Sequence, residues 1–230
     1  GHQDLRRRGL DRALGQHQAD LGAQRAVADR IAIAVPDRQL VLAAAQAQII
    51  VGQPGIRRSD PDFLALLLGD HILGGGGFTS RLMEEVREKR GLTYGISSSL
   101  APGLHAGAFT IGLKTRPDQA EQALALTRQV LADFIAHGPT EAELQAAKDN
   151  LIGGFALRLD SNRKLLGNVA NIAWNDLPLD YLDHWTHRLQ ALTVADVRSA
   201  LQRHWQPDRL VTVVLGAQAP STPSAPSATE

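Results

Sequence analysis

Arg87 and Tyr94 are the side chains whose types and spacing best suit chemistry. They lie seven positions apart in Ser80-Arg-Leu-Met-Glu-Glu-Val-Arg-Glu-Lys-Arg-Gly-Leu-Thr-Tyr-Gly95. That stretch reads as a charged helix, a glycine stop and a strand starting beside the helix end. A fixed cation and a phenolic donor would then face one cleft. Such a pair polarises a carbonyl and stabilises an oxyanion, but supplies neither nucleophile nor base. A plainer reading stands beside it. Arg87 complements the negative end of its helix, and Tyr94 is a half-buried strand aromatic.

Just upstream lie Gly74, Gly75, Gly76 and Gly77, followed by Phe78-Thr79-Ser80-Arg81. A phosphate-binding loop needs a Lys after its last glycine, and none follows here. The run also comes after a helical pattern rather than a strand, so the dinucleotide fingerprint fails as well. What remains is a joint between helices, or bare backbone lying close to a bound chain. His184 and His187 are three apart on a predicted helix, without the H-x-x-E-H pattern of zinc peptidases. With Tyr181 and Trp185 nearby they read as an amphipathic surface face, and no metal site is expected in this chain. Ser97-Ser98-Ser99 lacks a G-x-S-x-G elbow and is expected to face solvent or an open sheet edge.

These residues must be held by elements that the pattern supplies. Gln46 to Gly52 reads as a strand ending in a Gln-Pro-Gly turn. Asp60-Pro61 opens a helix, with Asp as cap and Pro at its first position. A second helix is predicted over about Thr79 to Arg90, stopped by Gly91. Leu92 to Leu100 and Ala108 to Lys114 form a predicted hairpin. Helices follow from Pro117 to Ala136, from the Thr140/Glu143 capping box, over Ser161 to Trp174, after Pro178, and from Thr193 to about His204. Leu210 to Leu215 closes the pattern as a buried strand. Strands with helices grouped behind them indicate an α+β fold.

The chain has 230 residues, 43% hydrophobic and 21% charged, with 24 basic and 24 acidic side chains. That balance argues against a nucleic-acid binder. The absence of cysteine excludes disulfides, iron–sulfur clusters and thiolate zinc sites. No run of roughly 18 apolar residues suggests a membrane span, and no basic-then-apolar leader is visible. Residue 1 is Gly and the single methionine is Met83, so the sequence reads as a piece of something longer. Residues 1–45 are expected to be a linker or poorly structured segment, and the Ala/Pro/Ser/Thr-rich 217–230 a disordered tail.

Two stretches carry a family resemblance. They are Asp70-His-Ile-Leu-Gly-Gly-Gly-Gly-Phe-Thr-Ser-Arg-Leu82 and Glu85-Val-Arg-Glu-Lys-Arg-Gly-Leu-Thr-Tyr-Gly95. Leu144 with Lys148, Ser161-Asn162, Leu177-Pro-Leu-Asp-Tyr181, and Thr193 with Asp196-Val197 follow in order. Residues 46–216 resemble the C-terminal, non-zinc half of pitrilysin-type zinc metallopeptidases, which include insulin-degrading enzyme and the mitochondrial processing peptidase. The resemblance implies a mixed, largely antiparallel sheet packed against a layer of helices, one half of a clamshell that closes on an extended peptide. It implies that Tyr94 hydrogen-bonds the tetrahedral intermediate and Arg87 holds a substrate carbonyl. Gly74 to Gly77 and Phe78 would line the substrate path. Zinc would reside in a partner half, on another domain or subunit, and this chain would carry no cofactor of its own. A scaffold subunit of the same family is the alternative. If it is like bacterial relatives, the protein is periplasmic or envelope-associated.

Overall fold

The structure, a computed structural model, describes residues 38–40 and 45–216. The expectations for residues 1–37 and 217–230 lie outside the described residues. Five strands form one sheet: β1 (Arg38–Leu40), β2 (Ala47–Pro54), β3 (Gly95–Ala101), β4 (Ala108–Thr115) and β5 (Val211–Leu215). Their order is β1-β5-β2-β4-β3. β1 runs parallel to β5 and every other pairing is antiparallel. The expected mixed, largely antiparallel sheet is therefore present. Its first strand lies upstream of the expected boundary at residue 46, because a three-residue edge strand carries too little pattern to be read.

Alternation decides which face is covered. Ala47, Ile49 and Val51 of β2, Ile96 of β3, and Phe109, Ile111 and Leu113 of β4 are buried. They meet the helical layer, where Phe109 stacks on Trp205 with ring centroids 4.0 Å apart. The opposite face carries Gln48 paired with Lys114, and Gly112 paired with Ser97. The same face exposes Ile50, its cross-strand partner Val213, and Leu215, so it is not purely polar.

Among the described residues there are six α-helices: α1 (Phe63–Asp70), α2 (Ala120–His137), α3 (Glu141–Gly153), α4 (Asn162–Trp174), α5 (Tyr181–Ala191) and α6 (Val194–His204). Asp60 acts at the start of α1, but one turn early. Its carboxylate accepts the Asp62 N–H at 2.9 Å, and the regular helix begins at Phe63. Thr140 and Glu143 form the capping box of α3, and Thr193 and Asp196 form that of α6. The stripe on α2 is buried through Ala123, Val130, Leu131 and Phe134.

The segment after α1 departs from two simple helices. His71–Gly75 widens to i→i+5 bonding, and the Gly76 N–H donates to His71 O at 2.8 Å. Gly77–Thr79 forms one tight turn, Ser80 is extended, and a second wide-turned segment covers Met83–Glu88. The predicted helix over 79–90 is thus split at Ser80. Each glycine has its own reason. A Cβ on Gly74 would lie 2.4 Å from the backbone N of Ser98, and one on Gly76 would lie 2.7 Å from His71 O. Gly77 has a φ of +68°, which an L side chain rarely adopts. The Gly74 contact brings the end of α1 against β3, closer than any side chain allows. Gly74→Ala should therefore lower unfolding free energy by about 1–3 kcal/mol in urea titration, through overpacking against backbone that cannot move aside.

Candidate functional site

The outer edge of β3 is the site's foundation. Asp70, at the end of α1, is buried, yet no cation pairs with it among the described contacts. Burial pushes its carboxyl above the usual range, while bonds from Ser98 and Leu100 pull the other way. The Ser98 hydroxyl donates to Oδ1 at 2.6 Å and the Leu100 N–H to Oδ2 at 3.3 Å. One half of the strand edge is thereby closed by Gly74 and Asp70. The serine run proves divided: Ser98 is buried against Asp70, while Ser97 and Ser99 face solvent.

The other half of the edge borders an open groove of about 540 Å³. Gly77 and Phe78 form one bank, Arg87 and Met83 another, and Tyr94, Gly95 and Ser97 the strand side. The Arg87 guanidinium lies 5.1 Å from the centroid of the Phe78 ring, within cation–π range. It also pairs with Glu88 at 3.2 Å. Tyr94 is 71% exposed, so it is no half-buried strand aromatic. Gly77, Phe78, Arg87 and Tyr94 therefore meet at one groove. Gly74, Gly75 and Gly76 are not among the residues lining it; a Cβ on each would crowd Ser98, Asp70 or His71, respectively.

Sequence reasoning missed the groups that hold this corner. Thr93 accepts the Gly95 N–H at 3.1 Å, and its hydroxyl lies 2.6 Å from the Lys114 carbonyl. The Thr115 hydroxyl donates to the Leu92 carbonyl. Together they tie the chain on both sides of Tyr94 to the end of β4. β-Branched Thr at strand ends looks like ordinary β propensity, so no signal marked them.

Arg81 anchors the segment that carries Arg87. It forms a bidentate pair with Glu143, with Nη2 at 2.6 Å from Oε2, and it reaches Gly138 O at 3.2 Å. Its guanidinium also covers the Phe134 ring at 4.7 Å. The capping box seen in the sequence is therefore half of a longer device. Glu143 closes α3 and clamps the wide-turned segment to it.

One three-member group with metal-ligand residue types comes together among the described residues: Asp60, Asp62 and His204. Asp62 is already engaged. Arg203 donates to both its oxygens at 2.8 and 2.9 Å, and His204 Nε2 lies 2.8 Å from Oδ2. The Arg203 bond, aided by His204, holds the Asp62 carboxyl below its usual range. A guanidinium seated on the central carboxylate does not fit a zinc site. His184 faces solvent beside Asp180 at 3.3 Å, as an exposed face should.

Comparison with known proteins decides the lineage. Residues 28–151 match the family described as the peptidase M16 inactive domain. The chain belongs to that family. An uncharacterized zinc protease of Streptomyces coelicolor is 33% identical over 156 residues, covering 67% of this chain and 33% of that protein. A Helicobacter pylori protein named a non-peptidase homolog is 29% identical over 144 residues, covering 61% of this chain and 33% of its own length. The crystal structure of a peptidase M16 inactive domain from Pseudomonas fluorescens superposes with a TM-score of 0.77 at 39% identity. That match covers 82% of this chain and 45% of the Pseudomonas chain. This M16 chain thus spans about a third of the length of these curated relatives. No helix among its described residues is long and apolar enough to cross a membrane.

The Arg81–Glu143 clamp has a pH signature. Burial opposes ionisation of Glu143, but the Arg81 guanidinium and the Thr140 N–H and hydroxyl outweigh it and lower the pKa from 4.5 to about 2. A carboxylate with a depressed folded pKa stabilises above its unfolded value and loses that contribution as pH falls through the folded value. The pair is partly exposed, so Arg81→Ala should cost about 1–2 kcal/mol at neutral pH. Denaturant titrations should show the gap from the unaltered protein closing between pH 4.5 and about 2. A pH-independent gap would mean that Arg81 acts by packing alone.

Proposed function

We propose that this M16 domain is the catalysis-assisting half of a zinc-dependent endopeptidase. It binds an extended peptide and stabilises the tetrahedral intermediate for a zinc site on another domain or subunit. One observation carries the reading: Arg87, Tyr94 and Phe78 meet at an open groove beside an edge strand. An extended peptide can take backbone hydrogen bonds from such an edge, and side-chain contacts beside it set the register. Arg87 offers a fixed cation to a peptide carbonyl. Tyr94 offers one O–H to the oxygen that becomes negative when that carbonyl is attacked. Neither group can activate water, so that part of the chemistry must come from elsewhere. When bound in the other half, zinc would supply it as a Lewis acid that lowers the pKa of water.

The alternative is a non-proteolytic scaffold subunit, which the Helicobacter relative's name favours. The two readings diverge once the chain is paired with a zinc-bearing half. The peptidase reading requires chelator-sensitive cleavage that depends on this chain. Within it, Tyr94→Phe should lower kcat about 100- to 1,000-fold while leaving assembly intact, because one oxyanion donor is lost. Steady-state kinetics with a fluorogenic peptide reads this directly. Near-normal kcat would remove Tyr94 from the mechanism. Absence of any cleavage in a formed complex would favour the scaffold.

A further inference from the structure

The groove beside Tyr94 does not stop at the edge of the sheet. Gly112, Lys114 and Gln48 also line it, so it runs past β3 onto the sheet face opposite the helices. Strand pairing sets a row across that face: Ser97 on β3, Gly112 on β4, Ile50 on β2 and Val213 on β5. Ser97 is small and exposed, Gly112 has no side chain, and Ile50 is 43% exposed. The groove floor is thus low over two strands and rises at Ile50. With strands about 4.8 Å apart, the low part is about 10 Å across, room for one large side chain laid flat. The fold itself does not require glycine at 112. Glycine inside a strand weakens it, and it often marks close approach by a ligand or another backbone. Gly52 in β2 has a packing reason, since a Cβ there would lie 3.1 Å from Phe109 O. At Gly112 a Cβ would meet nothing within 4 Å, and the φ is not positive.

We propose that the groove floor at Gly112, closed by Ile50, is a specificity subsite for a bulky apolar side chain of the peptide, aromatic or leucine-like. The inference rests on the reading given under the proposed function and names the substrate class that the groove selects. An extended peptide on the free edge of β3 turns every second side chain toward this face. Ser97 lies three residues after Tyr94, so the side chain that enters this row belongs close to the carbonyl that Tyr94 and Arg87 hold. A large apolar side chain there covers the bare backbone of Gly112 and removes Ile50 from water. A methyl group is too short to reach Ile50. A carboxylate would lose water against that apolar wall, and its one gain would be Lys114, the next outward-facing residue of β4.

The test uses the assembled two-half enzyme and fluorogenic peptides that carry Phe, Leu, Ala or Asp at one position at a time around the cleaved bond. At one position Phe or Leu should exceed Ala by about 10-fold or more in kcat/KM, as filling an apolar pocket does. Gly112→Val fills the floor and should cut that preference about 10-fold, chiefly through a higher KM for the Phe and Leu peptides. Gly112→Ala should give a smaller loss in the same direction, and Ile50→Ala should weaken the preference by removing the wall. Circular dichroism melts of the Gly112 variants should come no lower than that of the unaltered chain, because the added carbons meet open space in a strand. A lower melting midpoint, or an equal loss for the Phe and Ala peptides, overturns the subsite in favour of a structural role for Gly112. An unchanged preference in both Gly112 variants overturns it while cleavage keeps the peptidase reading in place. Preference for Asp over Phe at that position overturns it in favour of Lys114. No cleavage of any peptide by a formed complex overturns both this inference and the reading it rests on.

Discussion

The structure depends on one close approach, the backbone of Gly74 against the backbone of Ser98. A Cβ there would come within 2.4 Å of the Ser98 nitrogen. Only glycine lets α1 end so near the sheet. Asp70, four residues earlier, then falls within reach of the Ser98 hydroxyl and the Leu100 N–H. An otherwise unpaired N–H on an edge strand is satisfied, and a carboxylate is held where burial disfavours its charge. Everything on the functional side follows from that seam. The chain must leave it through Gly76 and Gly77, whose positive φ turns Phe78 to the groove. It then re-enters helical geometry after Ser80, at Arg81.

A second clamp fixes where the returning segment lies. Arg81 holds Glu143 and Phe134 at once, so the segment carrying Arg87 is referenced to α2 and α3. Thr93 and Thr115 reference the corner carrying Tyr94 to the end of β4. The cation and the phenol therefore sit on separate supports that share one core. Neither support uses the groove-facing atoms of Arg87 or Tyr94. Tyr94 is 71% exposed, and the Arg87 guanidinium is paired with Glu88 at 3.2 Å.

Much of this was legible in the residues. Strand alternation in Ala47–Pro54 and Ala108–Thr115 gave the sheet, and Thr140 with Glu143 gave the start of a helix. The spacing of Arg87 and Tyr94 allows both to face one cleft, and both line the groove beside β3. Other features were hidden for physical reasons. The four glycines look alike in sequence, but contact distances separate packing at Gly74 and Gly76 from backbone twist at Gly77. The widened turns at 71–75 and 83–88 keep helical composition, so periodicity cannot reveal them. β1 pairs over only three residues, too short for any pattern. The outward apolar face of α4 has an ordinary amphipathic sequence, and only burial shows which way it points.

The proposed function has Tyr94 and Arg87 act on a peptide carbonyl whose attack is driven from another half. The most direct measurement is a crystal structure of the assembled two-half protein with a phosphinic peptide, which mimics the tetrahedral intermediate. The Tyr94 hydroxyl should lie about 3 Å from a phosphinyl oxygen, with Arg87 on a neighbouring carbonyl. A bound inhibitor with Tyr94 facing solvent and Arg87 still paired to Glu88 would contradict it.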